Sequence, residues 1–583
     1  MSQNDDLPTD FDVVVLGTGL PESIMAAACA RSGLTVLHLD SNDCYGGLWG
    51  SFNLQSFVEW IANQQSCVSA ETSVAQSDTS QAAETESFAE FVQDKGMPHS
   101  AAATTDAAES NVDDIAQRDH HTVRDELMKQ SRKFSIDLLP KLLLSNGEMV
   151  KLLVQSGVGR YAEFKCVNRL LCDVNGDLKE VPCSRSDIFS STEISMPEKR
   201  RLMKFIEFCL NYDPDSVIEP PNFVALLKAH QLPLNARTFL QHTIAMLPDN
   251  ASSLEGLAAV RRFLVSVGKY GNSPYLCTMF GSGELAQCFC RLCAVFGGIY
   301  CLRQNVDVWI LDAERHVTAL VVKHQRITCR HVLVANTSYI PKFDRQSTTT
   351  TTTHNNSSST CVTPSVQRAV LITDESIGDR TDAEKITLLN VPPDGQSSDE
   401  ALVHIMEMGF AAGMAPKDLF VVHLSSVGHE SAQSRLGRCV QRLFVTDTET
   451  RQEFDRELPN VLMSAYFDVM TSPTQTGTQL PDNVVVLDQS AMYGIEYSNL
   501  VEQCRSVFSR VWPDREFLPE PELTEGEDTP ADNTTVNNGF AGSSSLADEQ
   551  SRSGQNSQSA NETTQQCHSQ SDEQNEQDQT GEP

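Results

Sequence analysis

The chain has 583 residues and a formal net charge of −34, long enough for two domains with sizeable cores. An acid excess of this size excludes nucleic acid as a partner, because neutralising phosphates needs a basic face. No apolar run approaches the roughly 20 residues of a membrane helix, and neither a secretory leader nor a prenylation box is visible. The 17 cysteines have no disulfide-framework or paired C-x-x-C spacing, so they read as reduced thiols of a cytosolic protein.

In chain order, Phe11–Leu16 is a β-branched run typical of a strand buried on both faces. Gly17-Thr-Gly19 turns the chain, Glu22 to Arg31 is helical with Gly33 at the C-cap position, and Thr35–Leu39 is a second strand closing at Asp40. Residues 62–123 hold 11 acids against Lys95 and Arg118, a net of −9, and bury too little to offset chain entropy. Order resumes near Phe134, with a helix expected over Leu152–Phe164 and short strands over Asn168–Val181. From Met196 to Ala259 apolar residues recur at helical spacing, as in Leu202, Phe205, Ile206 and Cys209. Four runs, Ile299–Leu302, Val306–Leu311, Val317–Val322 and Ile327–Val334, predict a β-meander that returns to the first domain. A Ser/Thr-rich surface loop over 345–360, a strand at Val484–Leu487 and a closing helix over Tyr497–Val511 follow. Residues 516–583 carry 15 acids against Arg552 alone, a net of −14, and read as a disordered tail.

The expected fold is α/β (α+β): a Rossmann-like, FAD-type multisheet domain with a second, mainly helical domain. Its parts are 1–61, 124–183 and 285–517 for the first domain and 184–284 for the second. The acidic insertion 62–123 and the tail 518–583 are expected to be disordered.

The dinucleotide pattern is G-x-G-x-x-G between strand and helix, with an acid about 20 residues on. Here it reads Gly17-Thr-Gly19-Leu-Pro-Glu22, with Asp40 in the acid position. Glu22 replaces the third glycine and sets bulk and negative charge where a pyrophosphate would lie. The last strand is followed by Asp488-Gln-Ser490 without the glycine that lets a backbone approach a flavin. Gly17, Gly19 and Asp40 therefore read as vestiges of a cofactor site, and no cofactor is expected.

Several stretches together resemble the Rab escort and Rab GDP-dissociation inhibitor family. They are Leu7–Asp40 closing with Cys44-Tyr-Gly-Gly47, Ile136–Gly147, Arg160–Lys165, Glu198–Arg201 and Lys269–Tyr275 running through Phe280–Leu285 to Gly297–Tyr300. The long insertion after Trp60, Phe280 where the inhibitors usually carry tyrosine, and the acidic tail favour the escort branch. Lys269, Thr278 and Ala286 depart from the family's usual residues. The resemblance implies a non-catalytic accessory of Rab geranylgeranyltransferase, cytosolic and transiently at membranes. Its implied partners are GDP-bound Rab GTPases, unprenylated and prenylated, the transferase α/β heterodimer, and the geranylgeranyl lipid of Rab.

The same resemblance places Rab binding on Tyr45, Gly46 and Gly47 with Lys269 and Tyr270; the alternative for Tyr45 is a core ring beside an ordinary glycine turn. Arg261, Arg262 and Lys269 form a local basic cluster, either a solvated helix face or a surface that steers an acidic partner. Phe280 and Arg291 match the positions that dock the transferase α subunit, as a compact knob; the alternative is a core phenylalanine with a solvated arginine. The helical domain is expected to shelter the isoprenoid. Cys288, Cys290 and Cys293 lack the spacing of a closed zinc site, so no metal is expected.

Overall fold

The computed structural model describes residues 7–75, 123–191, 194–341, 364–378, 384–393, 401–446, 458–470 and 480–520. The insertion from 76 to 122, including His120-His121, the loop 345–360 and the tail from 521 onward lie outside the described residues. The helix Leu54–Ala75 continues past position 62, where the insertion was expected to begin.

The architecture is mixed α/β, as expected, and rests on two seven-stranded sheets. In the first, the order is Ile299–Cys301, Val36–Leu39, Asp10–Leu16, Gln325–Val334, Val317–Val322, Val308–Leu311, with Val484–Val486 also on Gln325–Val334. The long strand Gln325–Val334 divides its free edge. Gln325–Thr328 pairs antiparallel with the meander, and Val332–Val334 pairs parallel with Val484–Val486. Val13 to Leu16 are buried on both faces because they sit centrally between parallel neighbours.

Two expectations change here. Ile299–Cys301 is not part of the meander; it pairs in parallel with Val36–Leu39 at the opposite edge. The helix placed over Leu152–Phe164 is instead Glu148–Ser156. Gly157, at φ +72°, closes it in the left-handed conformation, and Phe164–Cys166 is drawn into a strand against Tyr275–Thr278.

The second sheet runs Val461–Val469, Ser365–Thr373, Phe420–Gly428, Val403–Met408, Thr387–Val391, Arg169–Val174, Asp177–Glu180. One face packs on the amphipathic helix Ala432–Leu443 through Leu436, Val440 and Leu389. The other face carries the helical region through Leu170, Cys172, Leu388 and Met406. That region comprises Arg185–Ser190, Met196–Asn211, Phe223–Ala229, Leu234–Thr238 and Ser253–Ser266. Serine caps start its longer helices: Glu255 N–H donates to Ser252 Oγ at 3.2 Å and Ser252 N–H to Glu255 Oε2 at 2.9 Å. The helix Leu20–Arg31, buried from Leu20 to Ala30, lies against the helices Gly283–Val295 and Ser498–Val511. Its run of small side chains from Ala26 to Ala30 lets these helices approach closely. Among the described residues no helix is long and apolar enough to cross a membrane.

Candidate functional site

The turn at Gly17–Gly19 forms where strand Asp10–Leu16 gives way to helix Leu20–Arg31, as the glycine pattern dictates. Glu22 folds back into it. Its Oε2 lies 2.5 Å from where a Cβ on Gly19 would stand, and its Oε1 accepts the Ala335 N–H at 3.3 Å. Burial pushes the Glu22 carboxyl up to about 7, with Asp40 adding to the rise and nearby backbone N–H groups opposing it.

Asp40 is 1% exposed and already saturated. Its Oδ2 accepts the Thr18 N–H at 2.8 Å and the Thr18 hydroxyl at 2.5 Å. Its Oδ1 accepts the Asn42 N–H and Nδ2, both at 2.8 Å, and the Tyr339 hydroxyl at 3.1 Å.

A flavin or nicotinamide dinucleotide is the group this βαβ layout implies, with the acid on its ribose and the turn on its pyrophosphate. The residues present do not fit one. Glu22 fills the pyrophosphate position, five protein donors occupy Asp40, and the space bounded by Gly17, Glu22, Trp49 and Gln489 is about 70 Å³. That volume suits a few waters, whereas a bound cofactor needs several hundred Å³.

Beside this turn the chain rises into the Tyr45 loop. Gly46, at φ +99°, admits no side chain, since a Cβ would meet Gly50 Cα at 2.7 Å. Its N–H donates to Thr18 O at 3.1 Å and Thr18 Oγ1 at 3.0 Å, and its carbonyl accepts from Trp49 N–H at 2.8 Å. Tyr45 is 36% exposed, with its ring edge on Tyr300 at 5.8 Å between centroids. It is therefore not a core tyrosine.

The helix Gly283–Val295 links the loop to Phe280. Gly283 N–H donates to Ser51 Oγ at 2.9 Å, and Ser51 in turn donates to buried Asp137. Phe280 is 54% exposed at φ +63°, its N–H donating to Ala412 O at 3.0 Å, so it is no core residue. Its ring lies over Gly413, where a Cβ would be 2.6 Å away. Arg291 lies eight residues beyond Gly283, about 12 Å along the helix axis, and stacks its guanidinium on the Tyr161 ring at 4.4 Å. Phe280 thus precedes this helix and Arg291 lies on it, each with a separate aromatic or glycine neighbour.

The basic cluster disperses among separate partners. Arg261 faces the Tyr212 ring at 5.7 Å, Arg262 pairs with Glu496 at 3.8 Å, and Lys269 donates to Asn146 Oδ1 at 3.1 Å. Tyr270 is 52% exposed and borders an apolar groove of about 670 Å³ walled by Leu143, Val150, Leu153, Val154 and Phe164. The stretch 143–166 supplies most of the wall, and Tyr270 and Leu276 close it from a second segment. Under the helical region, Ile188, Leu202, Ile206, Phe239, Leu240 and Phe263 enclose only about 30 Å³. Cys288, Cys290 and Cys293 are buried, and Cys290 Sγ meets Ser23 Oγ at 3.2 Å.

The family model described as GDP dissociation inhibitor matches residues 7–73 and 101–443. A mouse protein named Rab proteins geranylgeranyltransferase component A 2 is 33% identical over 88% of this chain and 97% of its own. The Caenorhabditis elegans component A 1 is 34% identical over 88% of this chain and 96% of its own. A solved Rab GDI from Plasmodium falciparum has the same fold, with a TM-score of 0.56 at 17% identity, over 89% of this chain and 100% of that one. A match over most of the chain, in both sequence and fold, bears out the resemblance: this chain belongs to the GDP dissociation inhibitor family.

Proposed function

We propose that the chain is a Rab escort. It holds newly made, GDP-bound Rab GTPases and presents their C-terminal cysteines to the Rab geranylgeranyltransferase heterodimer. It then covers the attached lipid until the Rab reaches a membrane. The bond-making groups belong to the transferase; this chain binds, orients and shields.

The observation that carries the reading is the sealed dinucleotide turn. Where a redox relative would seat its cofactor, Glu22 and a saturated Asp40 stand, and beside them Tyr45 is exposed on a turn anchored by buried Gly46. Tyrosine on a rigid turn is the kind of residue that dominates protein interfaces. The similarity to component A proteins over nearly their whole length supports escort over inhibitor. The groove beside Tyr270 has the volume and apolar walls to take an extended apolar stretch of the same partner, and the helical region offers apolar walls that would part to admit the isoprenoid. Phe280 and Arg291 are the proposed transferase contacts.

An in vitro prenylation assay tests this with purified Rab, transferase and geranylgeranyl diphosphate. Lipid transfer should require the chain. Transfer at the same rate without it would overturn the escort reading, and extraction of prenylated Rab without stimulated transfer would assign the inhibitor role instead.

A further inference from the structure

We infer that the remnant dinucleotide turn has become a latch, in which Thr18 and Asp40 hold Gly46 and thereby aim Tyr45 at the partner. The inference rests on the reading of the Tyr45 loop as a partner-binding surface. Thr18 has one hydroxyl proton, and it is committed to Asp40 Oδ2 at 2.5 Å. The lone pairs of Thr18 Oγ1 are then left to accept, and the Gly46 N–H donates to it at 3.0 Å. The opposite carboxylate oxygen holds Asn42, on the same loop, through two bonds of 2.8 Å. Tyr339, on the short turn Thr337–Tyr339, closes the set by donating to Asp40 at 3.1 Å.

The loop is thus held at Asn42 and at Gly46, on either side of the exposed Asp43, Cys44 and Tyr45. Thr18 and Asp40 are each 1% exposed, so the bonds that hold it are shielded from competing water. Tyr45 directly precedes the held N–H and leans on Tyr300, itself tilted against His38 with centroids 4.7 Å apart. An acid that in dinucleotide-binding relatives of the fold meets a sugar hydroxyl here meets Thr18, Asn42 and Tyr339. A loop ordered before the partner arrives loses less freedom on binding, so the latch acts on affinity rather than on the fold. Thr18 and Asp40 are positioning residues, acting through Tyr45.

The test uses the full chain and a GDP-loaded Rab, with Kd measured by calorimetry and exchange of the Gly46 amide followed by mass spectrometry. Thr18→Val removes the side-chain acceptor of Gly46 and the hydroxyl donor to Asp40, leaving only the Thr18 carbonyl at 3.1 Å, and should weaken binding about tenfold. It should also speed exchange over 41–50, while Thr18→Ser restores both. Tyr339→Phe removes one donor from Asp40 without touching the turn and should weaken binding by a few-fold; it stands alone as the test if Thr18→Val fails to fold. Wild-type affinity and exchange in these variants, alongside weakened binding by Tyr45→Ala, would overturn the latch. Unchanged binding by Tyr45→Ala would instead overturn the reading of the loop on which the latch rests.

Discussion

A carboxylate in the first turn of a helix is ordinarily favoured by the helix dipole. At Glu22 burial outweighs that benefit and raises the carboxyl from 4.5 to about 7. The raised folded value fixes the sign of its contribution. The stability it lends is fully present below the unfolded value near 4.5 and is lost as pH rises through 7. Glu22→Gln removes the ionisation, so the variant should gain on the wild type as pH rises, by up to about 3 kcal/mol at pH 8. Urea unfolding of both proteins at pH 5 and pH 8 reads this, and a gap independent of pH would contradict it. Arg291, by contrast, is exposed, and its guanidinium lies over the Tyr161 ring at 4.4 Å from the centroid. Arg291→Glu should reduce transferase pull-down at least tenfold while leaving Rab affinity within about twofold; equal loss of both would move the docking site elsewhere.

At the scale of elements, the short helix Leu234–Thr238 runs into a wide π-type turn, Phe239–Ile244. There Ala245 N–H reaches back to Leu240 O at 2.9 Å, and Met246 follows at φ +55°. This turn lines the 30 Å³ cavity with Phe239, Leu240 and Ile244, and so small a space cannot hold a twenty-carbon chain unless the helices part. Such π-type turns are rare and gather at functional sites, which makes this the wall expected to yield. Phe239→Ala should cost the lipid-free protein about 3–5 kcal/mol, and a geranylgeranylated peptide should raise its Tm more than it raises that of the wild type. Equal shifts in the two proteins would exclude this cavity as the lipid site. The π turn was invisible in the sequence, because Phe239, Leu240 and Ile244 satisfy an ordinary helical pattern. The βαβ opening was legible because Gly17, Gly19 and Asp40 sit at spacings that few other structures need. Ile299–Cys301 was misplaced because three apolar residues carry no information about which neighbour they pair with. Most of the second sheet went unread for a related reason. Ser365–Thr373 is buried at all nine positions, so it shows no alternation. The stacking of Tyr161 under Arg291 joins residues 130 apart in the chain, and no local pattern encodes it.

Across the whole molecule, the helical region depends on how its supporting strand joins the second sheet. Arg169 opens the strand Arg169–Val174 and is 4% exposed; Glu407, on Val403–Met408, is fully buried. They pair at 3.0 Å, and Arg169 Nε also donates to Thr387 Oγ1 at 2.8 Å. Glu407 accepts further bonds from Ser376 Oγ and Ile377 N–H, both at 2.6 Å. The pair therefore ties three strands together under the face that carries the helices. Burial raises the Glu407 carboxyl, with Ser376, Ile377 and Arg169 opposing the rise. The two partners should consequently be unequal. Arg169→Met leaves Glu407 its backbone and hydroxyl donors and a route to protonation, so it should cost about 2–3 kcal/mol. Glu407→Leu strands a buried guanidinium together with the Ile377 N–H and Ser376 hydroxyl, and should cost about 3–5 kcal/mol. Because those two donors stay unpaired, the double variant should recover only part of the loss, unlike buried pairs whose replacement by apolar residues is neutral. Urea unfolding followed by tryptophan fluorescence and by far-ultraviolet circular dichroism measures all three. An Arg169→Met cost equal to that of Glu407→Leu, or a double variant as stable as the wild type, would mean that the pair acts only as charge and not as the node joining these strands.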